Sequence, residues 1–301
     1  MPQKIVLSDV VFTDTSLPLI HPDALLSSGS LFLFDPSHSL GGFSGVPASG
    51  VTVPNIAWQE ASNILGSGTA ATLAGLVASV GMATPAEFVV ERTLKGGVHG
   101  IITQAGAQAT SRAWTVKVPN AVRDYLALHA NDHQFYISVA SKVTRPGLNT
   151  SSAPQSLGHF TNVSAATSNY LFHFGSGNFA PGSGSAKNGG FRIFPANSTE
   201  VTAAAGTDRF TNGAVIGATG NAPVGTEVVE FGVGTFGAWN TLNYNKAASR
   251  ILYRTYIEDL TVSGRTYAQV DALDFAAYQA AFAVGGRFYG DTWSNPAVVL
   301  P

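Results

Sequence analysis

The sequence predicts a mainly β protein in which two antiparallel sheets pack face to face as a sandwich of the jelly-roll type, with a few short helices and an extended N-terminal arm. A series of short runs shows the alternation of side chains that is typical of strands. Glycine, asparagine and proline separate these runs, and only brief stretches between them have a helical period. No period of about 20 to 50 residues recurs, which argues against solenoids and propellers.

The clearest structural signals lie near the C-terminus. Residues 250–258 alternate as a strand that is at least half covered on both faces. Thr266 and Gln269 form a capping-box pair, which predicts a helix after them. A Gly-Gly pair at 285–286 ends that helix, and residues 287–289 are predicted to form a short aromatic strand. The apolar stripe of this helix is predicted to comprise Val270, Leu273, Ala277, Tyr278 and Ala281.

The same kinds of signal place the other elements. Helices are predicted from residue 54, over 69–80, and from an N-cap at Asn120. A Lys-Gly-Gly turn at 95–97 predicts a hairpin, and residues 182–190 are predicted to be a solvated loop. Further strands are predicted at 4–12, 31–34, 88–94, 98–104, 112–118, 135–143, 170–174, 191–194 and 227–233.

The N-terminal segment is predicted to differ in character from the rest. Residues 1–53 are expected to form an extended arm and the first strands, and residues 54–301 the sandwich domain. Pro18 and Pro22 keep part of the arm out of regular structure. Because its apolar residues need a partner, we expect the arm to strap onto a neighbouring molecule.

Composition limits the classes of partner. Only 11% of the residues are charged, whereas an average soluble protein has about 25%. The formal net charge is -2 and no basic run occurs, which argues against nucleic acid or an anionic membrane as a partner. A weakly charged surface gives little repulsion between copies, which favours assembly.

The N-terminus and the absence of cysteine limit the chemistry and the compartment. Without cysteine, the chain forms no disulfide, thiolate metal site or cysteine nucleophile. The apolar run at 5–7 is too short for a signal peptide or a membrane span. We therefore expect synthesis and assembly in a cytoplasm.

One glycine pattern resembles a nucleotide site in spacing. Residues 232–237 read G-x-G-x-x-G after a predicted strand, and Glu258 follows about twenty residues later. Asn240, Asn243 and Asn245 make the next segment a poor helix, so no helix N-terminus would face a pyrophosphate. The pattern is better explained as a tight bend between strands.

One pair of histidines has a spacing that occurs in metal sites. His129 and His133 are four apart, but Ala130 stands where a zinc protease has its glutamate. We expect His129 to end a helix and His133 to begin a strand, with the two rings pointing in different directions. The other histidines are expected to be satisfied polar groups; these are His21, His38, His99, His159 and His173.

Paired carboxylates and aromatic side chains are the two kinds of residue in this sequence that could act on or bind sugars. Glu230 and Glu258 are the pair of strand acids that could act together as in a glycosidase, although solvent-facing positions explain them better. Aromatic stacking is the other route, and Trp239 and Trp293 suit it better than the remaining tryptophans, Trp58 and Trp114.

Four segments carry a resemblance to a known family: ERTLKGGVHG at 91–100, HQFYISVASKVTR at 133–145, YIEDLTVSGRT at 256–266 and GGRFYGD at 285–291. Together they resemble the laminin-G-like or concanavalin A-like jelly-roll proteins of tailed bacteriophage virions. The resemblance spans residues 31–292, and its motifs mark turns and strand ends. It implies a virion component and offers no catalytic residues to carry over. Ala140 stands where an aromatic residue would be expected.

These observations lead us to expect a non-enzymatic virion structural protein, either a capsid decoration or a tail-attached component. No catalytic residue, cofactor or metal is predicted, and no ligand-binding residue is identified. The expected partners are copies of the chain and other virion proteins. The alternative is a lectin-like receptor-binding module of a tail fibre that binds a host surface glycan.

Overall fold

The computed structural model describes residues 21–82, 84–105, 111–147, 156–161, 170–175, 186–194, 208–215, 228–236 and 247–301. Within these residues the chain is mainly β, with two antiparallel sheets and a few helices, as predicted. The strands are β1 (Ser30–Phe34), β2 (Thr52–Val53), β3 (Gly75–Val80), β4 (Phe88–Arg92), β5 (Val98–Ile102), β6 (Ala113–Lys117), β7 (Phe135–Arg145), β8 (Ser156–Thr161), β9 (Tyr170–Gly175), β10 (Ala186–Phe194), β11 (Asp208–Val215), β12 (Val228–Gly234) and β13 (Ser249–Asp259). The helices are α1 (Trp58–Leu65), α2 (Asn120–Leu128), α3 (Leu260–Ser263), α4 (Tyr267–Phe282) and α5 (Pro296–Val299).

The described strands pair into two sheets. Sheet A has the order β10-β11-β7-β13-β5-β4, and β1 also pairs with β13. Sheet B has the order β2-β3-β6-β12-β8-β9. Most neighbours in each sheet are distant in sequence, so the sheets depend on non-local pairing.

Strand β13 lies at the centre of sheet A and is buried along its whole length. One edge of it pairs with β7 from Ser249 to Asp259. The other edge is shared, because β5 pairs near Arg250 and β1 pairs near Ile257. The strand predicted at 250–258 is therefore confirmed, and both its faces and both its edges are covered.

The core between the sheets is built from alternate residues of facing strands. Phe32 and Ile257 contribute from sheet A, and Trp114, Phe172 and Phe231 contribute from sheet B. All five side chains are fully buried. Burial of a large apolar side chain stabilises a fold by about 1.5–3 kcal/mol, so this layer is the main source of stability.

Helix α4 covers the outer face of sheet A, and its capping box is present as predicted. Its buried face differs from the predicted stripe, however. Val270, Tyr278 and Ala281 are buried, whereas Leu273 and Ala277 are exposed.

The centre of the buried face of α4 is the carboxylate of Asp274. It forms an ion pair with Arg254 and accepts hydrogen bonds from Ser138 and from Tyr136, the latter at 3.2 Å. Helix α4 is oriented with Asp274 facing these partners, because a buried arginine without a counter-charge would be very costly.

Several predicted elements differ from the structure. Residues 75–80 form strand β3 rather than a helix, because the branched valines favour pairing with β2 and β6. Gly75 leaves room for Val53 and Val116, which a Cβ at this position would meet at 3.2 and 2.7 Å. Residues 287–289 form a turn, in which Phe288 packs on Tyr253. Strand β10 begins at Ala186, inside the predicted loop, and Asn120 is the first residue of α2 rather than its cap.

The predicted N-terminal arm is described only in part. Residues 1–20, including the strand predicted at 4–12, lie outside the described residues. From residue 21 onward the chain packs on sheet A, since Leu25 and Leu26 are buried beside Tyr256. The hydroxyl of Ser27 also donates to Glu258 at 2.9 Å. Strapping of a neighbour by residues 1–20 stays a prediction.

The ion pair under α4 yields a stability prediction. Asp274→Ala should lower the free energy of unfolding by about 3–5 kcal/mol, because Arg254 would remain buried without its partner. Denaturant unfolding followed by circular dichroism measures the change. Asp124→Ala is the control, because Asp124 is exposed in a surface pair with Arg123 and its loss should cost less than about 1 kcal/mol. Equal effects of the two substitutions would contradict this role of Asp274.

Candidate functional site

Glu230 lies on the face of sheet B that points away from the core, since its neighbours Val229 and Phe231 point inward. Its Oε2 accepts a hydrogen bond from the hydroxyl of Thr115 at 2.8 Å. Its Oε1 is 3.4 Å from Nε2 of His159. Glu230 is thus buried in a polar cluster rather than facing solvent as expected.

The cluster around His159 contains groups that can transfer protons. The hydroxyl of Ser156 lies 3.2 Å from Nδ1 of His159. The Ser156 hydroxyl, the His159 imidazole and the Glu230 carboxylate therefore form a row in which each group contacts the next. Burial lowers the pKa of His159, and the nearby Glu230 charge opposes that shift. His159 has no exposed surface, which keeps a substrate from its ring. Because its imidazole is closed to solvent, the cluster serves to pair buried polar groups with one another.

Glu258, the second strand acid, belongs to sheet A. Its carboxylate is fully buried and forms an ion pair with Arg265, whose Nε donates to Oε1 at 2.8 Å. The hydroxyl of Tyr256 donates to Oε2 at 2.7 Å. Because Glu230 and Glu258 lie on different sheets with separate partners, the structure does not bring them together as a glycosidase pair.

The described tryptophans are engaged in packing. Trp114 is fully buried and its indole nitrogen donates to the carbonyl of Pro47 at 3.0 Å. Trp58 packs against the main core. Trp293, predicted as a stacking platform, lies edge-on to His99 with Lys142 over its ring at 5.2 Å. Trp239 lies outside the described residues.

The glycine pattern at 232–237 has a structural explanation at its described positions. Gly232 and Gly234 lie in β12, directly against β6. A Cβ on Gly234 would be 2.1 Å from the carbonyl oxygen of Arg112, and its φ of 90° disfavours other residues. These glycines allow the close approach of two paired strands. The predicted bend between strands stays a prediction, because residues 237–246 lie outside the described residues.

His129 and His133 contradict the expectation that their rings point apart. His129 caps the C-terminus of α2 and His133 precedes β7, as predicted, but their rings stack with centroids 4.0 Å apart. Nδ1 of His129 lies 3.3 Å from both carboxylate oxygens of Asp132. One donor atom from each of His129, Asp132 and His133 lies within 4.8 Å of the others.

A second carboxylate holds His133 from behind. Oδ2 of the fully buried Asp259 is 2.6 Å from Nδ1 of His133, and it also accepts from the Tyr125 hydroxyl at 2.8 Å. Oδ1 of Asp259 caps α3 by accepting from the amides of Thr261 and Val262. Burial and the Asp259 hydrogen bond raise the pKa of Tyr125 well above its usual value.

Tyr125, Asp132 and Asp259 were not predicted as members of this cluster. Asp132 comes one residue before His133, and the Asp-Leu-Thr sequence at 259–261 is suited to a helix cap. Neither signal shows that the end of β13 lies beside the start of β7. That contact comes from the register of the two strands, in which Asp259 is paired with Phe135.

A cavity of about 380 Å³ lies beside α4 and is lined in part by Arg254 and Arg287. Two guanidinium groups would suit an anion. Both are already neutralised, since Arg254 pairs with Asp274 and Arg287 lies 2.6 Å from Asp35. The charge balance of this cavity therefore gives no preference for an anionic ligand.

The C-terminal segment is fastened to sheet A through Glu91. Its carboxylate accepts from Nδ1 of His99 at 2.8 Å, and from the amide and hydroxyl of Ser294 at 2.8 and 2.7 Å. The hydroxyl of Thr144 lies 2.8 Å from the other ring nitrogen of His99. The His99 hydrogen bond, with those from Ser294, lowers the pKa of Glu91 to about 2.

Comparisons with protein families, curated proteins and solved structures give no match for this chain. Among the helices of the described residues, none is long and apolar enough to cross a membrane.

The Glu91 network predicts a specific pH dependence. The carboxylate is bound more strongly when ionised, so its stabilisation is complete above pH 4.5 and is lost as the pH falls toward about 2. Glu91→Gln should reduce stability at pH 7 and flatten this acid limb of the unfolding free energy. Asp124→Asn, at an exposed carboxylate, is the control. An acid limb of the same steepness in wild type and Glu91→Gln would rule out this role of Glu91.

Proposed function

We propose that this protein is a non-enzymatic structural component of a tailed bacteriophage virion, either a capsid decoration or a tail-attached protein, which acts by assembling with copies of itself and with other virion proteins. The finer reading of its fold as a laminin-G-like or concanavalin A-like jelly roll belongs to the same proposal. The two antiparallel sheets, the motifs at 91–100 and 256–266, which are buried at 97–100 and 256–260, and the weakly charged composition support it.

The observation that carries the proposal is the solvent face of α4. A helix at a protein surface normally shows polar residues to water, whereas a helix that is apolar all round is normally covered. The exposed face of α4 carries Leu273 with 48% of its surface exposed, and Val284 just after the helix is 83% exposed. The other exposed residues of this face are Ala268, Gln269, Ala272, Ala276, Ala277, Gln279, Ala280 and Ala283.

A second copy of the chain is the partner that suits this face best. The exposed positions of α4 carry no charged side chain, and the charged residues beside them in the neighbouring cavity, Asp23 and Arg287, have opposite sign. The whole chain has a formal charge of only -2, so two copies meet without strong repulsion. Alanines allow two helices to approach closely, and Leu273 and Val284 supply apolar area for such a contact. Other virion proteins would then bind elsewhere on the oligomer.

The polar residues that first suggested chemistry are consistent with this role. Glu230, Glu258 and His99 are each tied into internal hydrogen bonds or ion pairs. Such networks satisfy buried groups and fix the position of the surrounding elements. They supply rigidity, which a particle component needs.

Mass spectrometry of purified particles tests the virion assignment. The protein should be present in particles of the phage that encodes it, and should separate with either the capsid or the tail fraction. Its absence from purified particles would overturn the proposal. A change in melting temperature or chemical shifts with a saccharide would instead favour the glycan-binding alternative.

A charge placed on α4 tests the assembly contact. Leu273→Lys should shift the oligomer toward monomers in sedimentation velocity, because burying an unpaired ammonium in an apolar interface is unfavourable. Leu128→Lys is the matched control, since Leu128 is 77% exposed on α2. This control should assemble as wild type does. A monomeric wild-type protein, or an oligomer that tolerates Leu273→Lys, would contradict the proposed contact.

A further inference from the structure

A compact group of metal-ligating side chains lies where α2 turns into β7. It consists of His129, Asp132 and His133, whose donor atoms lie within 4.8 Å of one another. All three are at least partly exposed on one side, and Asp132 has 65% of its side-chain surface exposed. The group can therefore be reached from solvent.

The spacing of the His129–Asp132 donor pair fits a small divalent ion, and the third donor would move in from within 4.8 Å. Two ligand atoms bound about 2.0–2.1 Å from a tetrahedral ion lie about 3.3–3.4 Å apart. Nδ1 of His129 is 3.3 Å from each oxygen of Asp132. A charge-assisted hydrogen bond would be shorter, at about 2.7–2.9 Å.

His133 is held in a position suited to binding a metal. The Asp259 carboxylate, which already accepts from Tyr125 and two backbone amides, is an acceptor for Nδ1 of His133. Because Nδ1 faces Asp259, Nε2 is the ring nitrogen of His133 that would bind the ion. A buried carboxylate behind a ligating histidine is the usual outer-shell arrangement in zinc sites.

The neighbouring contacts fix the other ring as well. The ring of Tyr125 lies 4.6 Å from that of His129, and the His129 ring stacks on His133 at 4.0 Å. The main-chain amide of His133 donates to the carbonyl of His129 at 3.1 Å, which closes the turn between them. The backbone and Tyr125 thus bring the two imidazoles together before any ion is bound, and one of the stacked rings must rotate for both in-plane lone pairs to point at the same ion.

We propose that His129, Asp132 and His133 bind one divalent transition-metal ion of the zinc class, with Asp259 as the outer-shell carboxylate and the fourth coordination position open to solvent. Two imidazoles and one carboxylate favour zinc over magnesium or calcium, which prefer oxygen ligands. The bound ion would clamp the end of α2 to the start of β7, and through Asp259 to the junction of β13 and α3. This site is independent of the assembly function proposed above.

Titration of the chelator-treated protein with Zn²⁺ in a calorimeter tests the site. Wild type should bind one ion per chain, and Zn²⁺ should raise its melting temperature while Mg²⁺ does not. Loss of an outer-shell partner typically weakens metal binding about 10- to 100-fold, so His129→Gln and His133→Gln should weaken it at least that much. Co²⁺ added in place of Zn²⁺ should give visible absorption bands of a four-coordinate ion.

Two further variants keep the test decisive. Asp132→Asn changes an exposed side chain and should fold normally, as circular dichroism will show, yet bind Zn²⁺ more weakly. His38→Gln removes a histidine outside the cluster and should leave the affinity unchanged. The proposal is overturned if wild type shows no Zn²⁺ binding. It is also overturned if Asp132→Asn and the double variant His129→Gln/His133→Gln bind Zn²⁺ as tightly as wild type.

Discussion

The structure depends on the complete burial of β13. This strand shares one edge with β7 and divides the other between β5 and β1, so its backbone groups are paired along both sides. Its inward residues, such as Ile257, enter the core between the sheets, and its outward residues meet α4 and the segment from residue 21. A strand in this position joins three layers, and a change in its register would move every side chain to the wrong face.

The outward face of β13 carries charged side chains beneath α4, where a covered sheet face would normally carry apolar residues. Arg254 is paired with Asp274 of α4, and Glu258 is paired with Arg265 before that helix. Buried ion pairs of this kind add little net stability, because desolvation offsets their attraction. We infer that their main effect is to fix how α4 lies on the sheet. That orientation in turn leaves Leu273 facing outward, which links the buried charges to the proposed assembly surface.

The elements with strong local signals were predictable from the sequence. The alternation at 250–258, the Gly-Gly hairpin near 97 and the Thr266 capping box each appear in the structure as predicted. Their signals come from neighbouring residues, which the sequence shows directly. The two-sheet, mainly β architecture followed from the same patterns.

The incorrect predictions share a different cause, which is contact between residues that are distant in sequence. Strand β3 was predicted as a helix because its pairing partners β2 and β6 are not its neighbours along the chain. The predicted buried face of α4 was wrong because Leu273 has the spacing of a core residue. The ion pair between Asp274 and Arg254, which the sequence does not show, turns Leu273 toward solvent. The stacking of His129 and His133 depends on a turn and on Asp259, which lies more than a hundred residues away. In each of these three cases, tertiary contacts determined the local structure.

Native-state amide hydrogen exchange tests the central place of β13 most directly. If the sandwich is organised around this strand, its amides should exchange only by global unfolding and be among the slowest in the protein, well behind those of the edge strands β2 and β4. Exchange in β13 as fast as in those edge strands would contradict the account, because it would show that the strand opens without the rest of the fold.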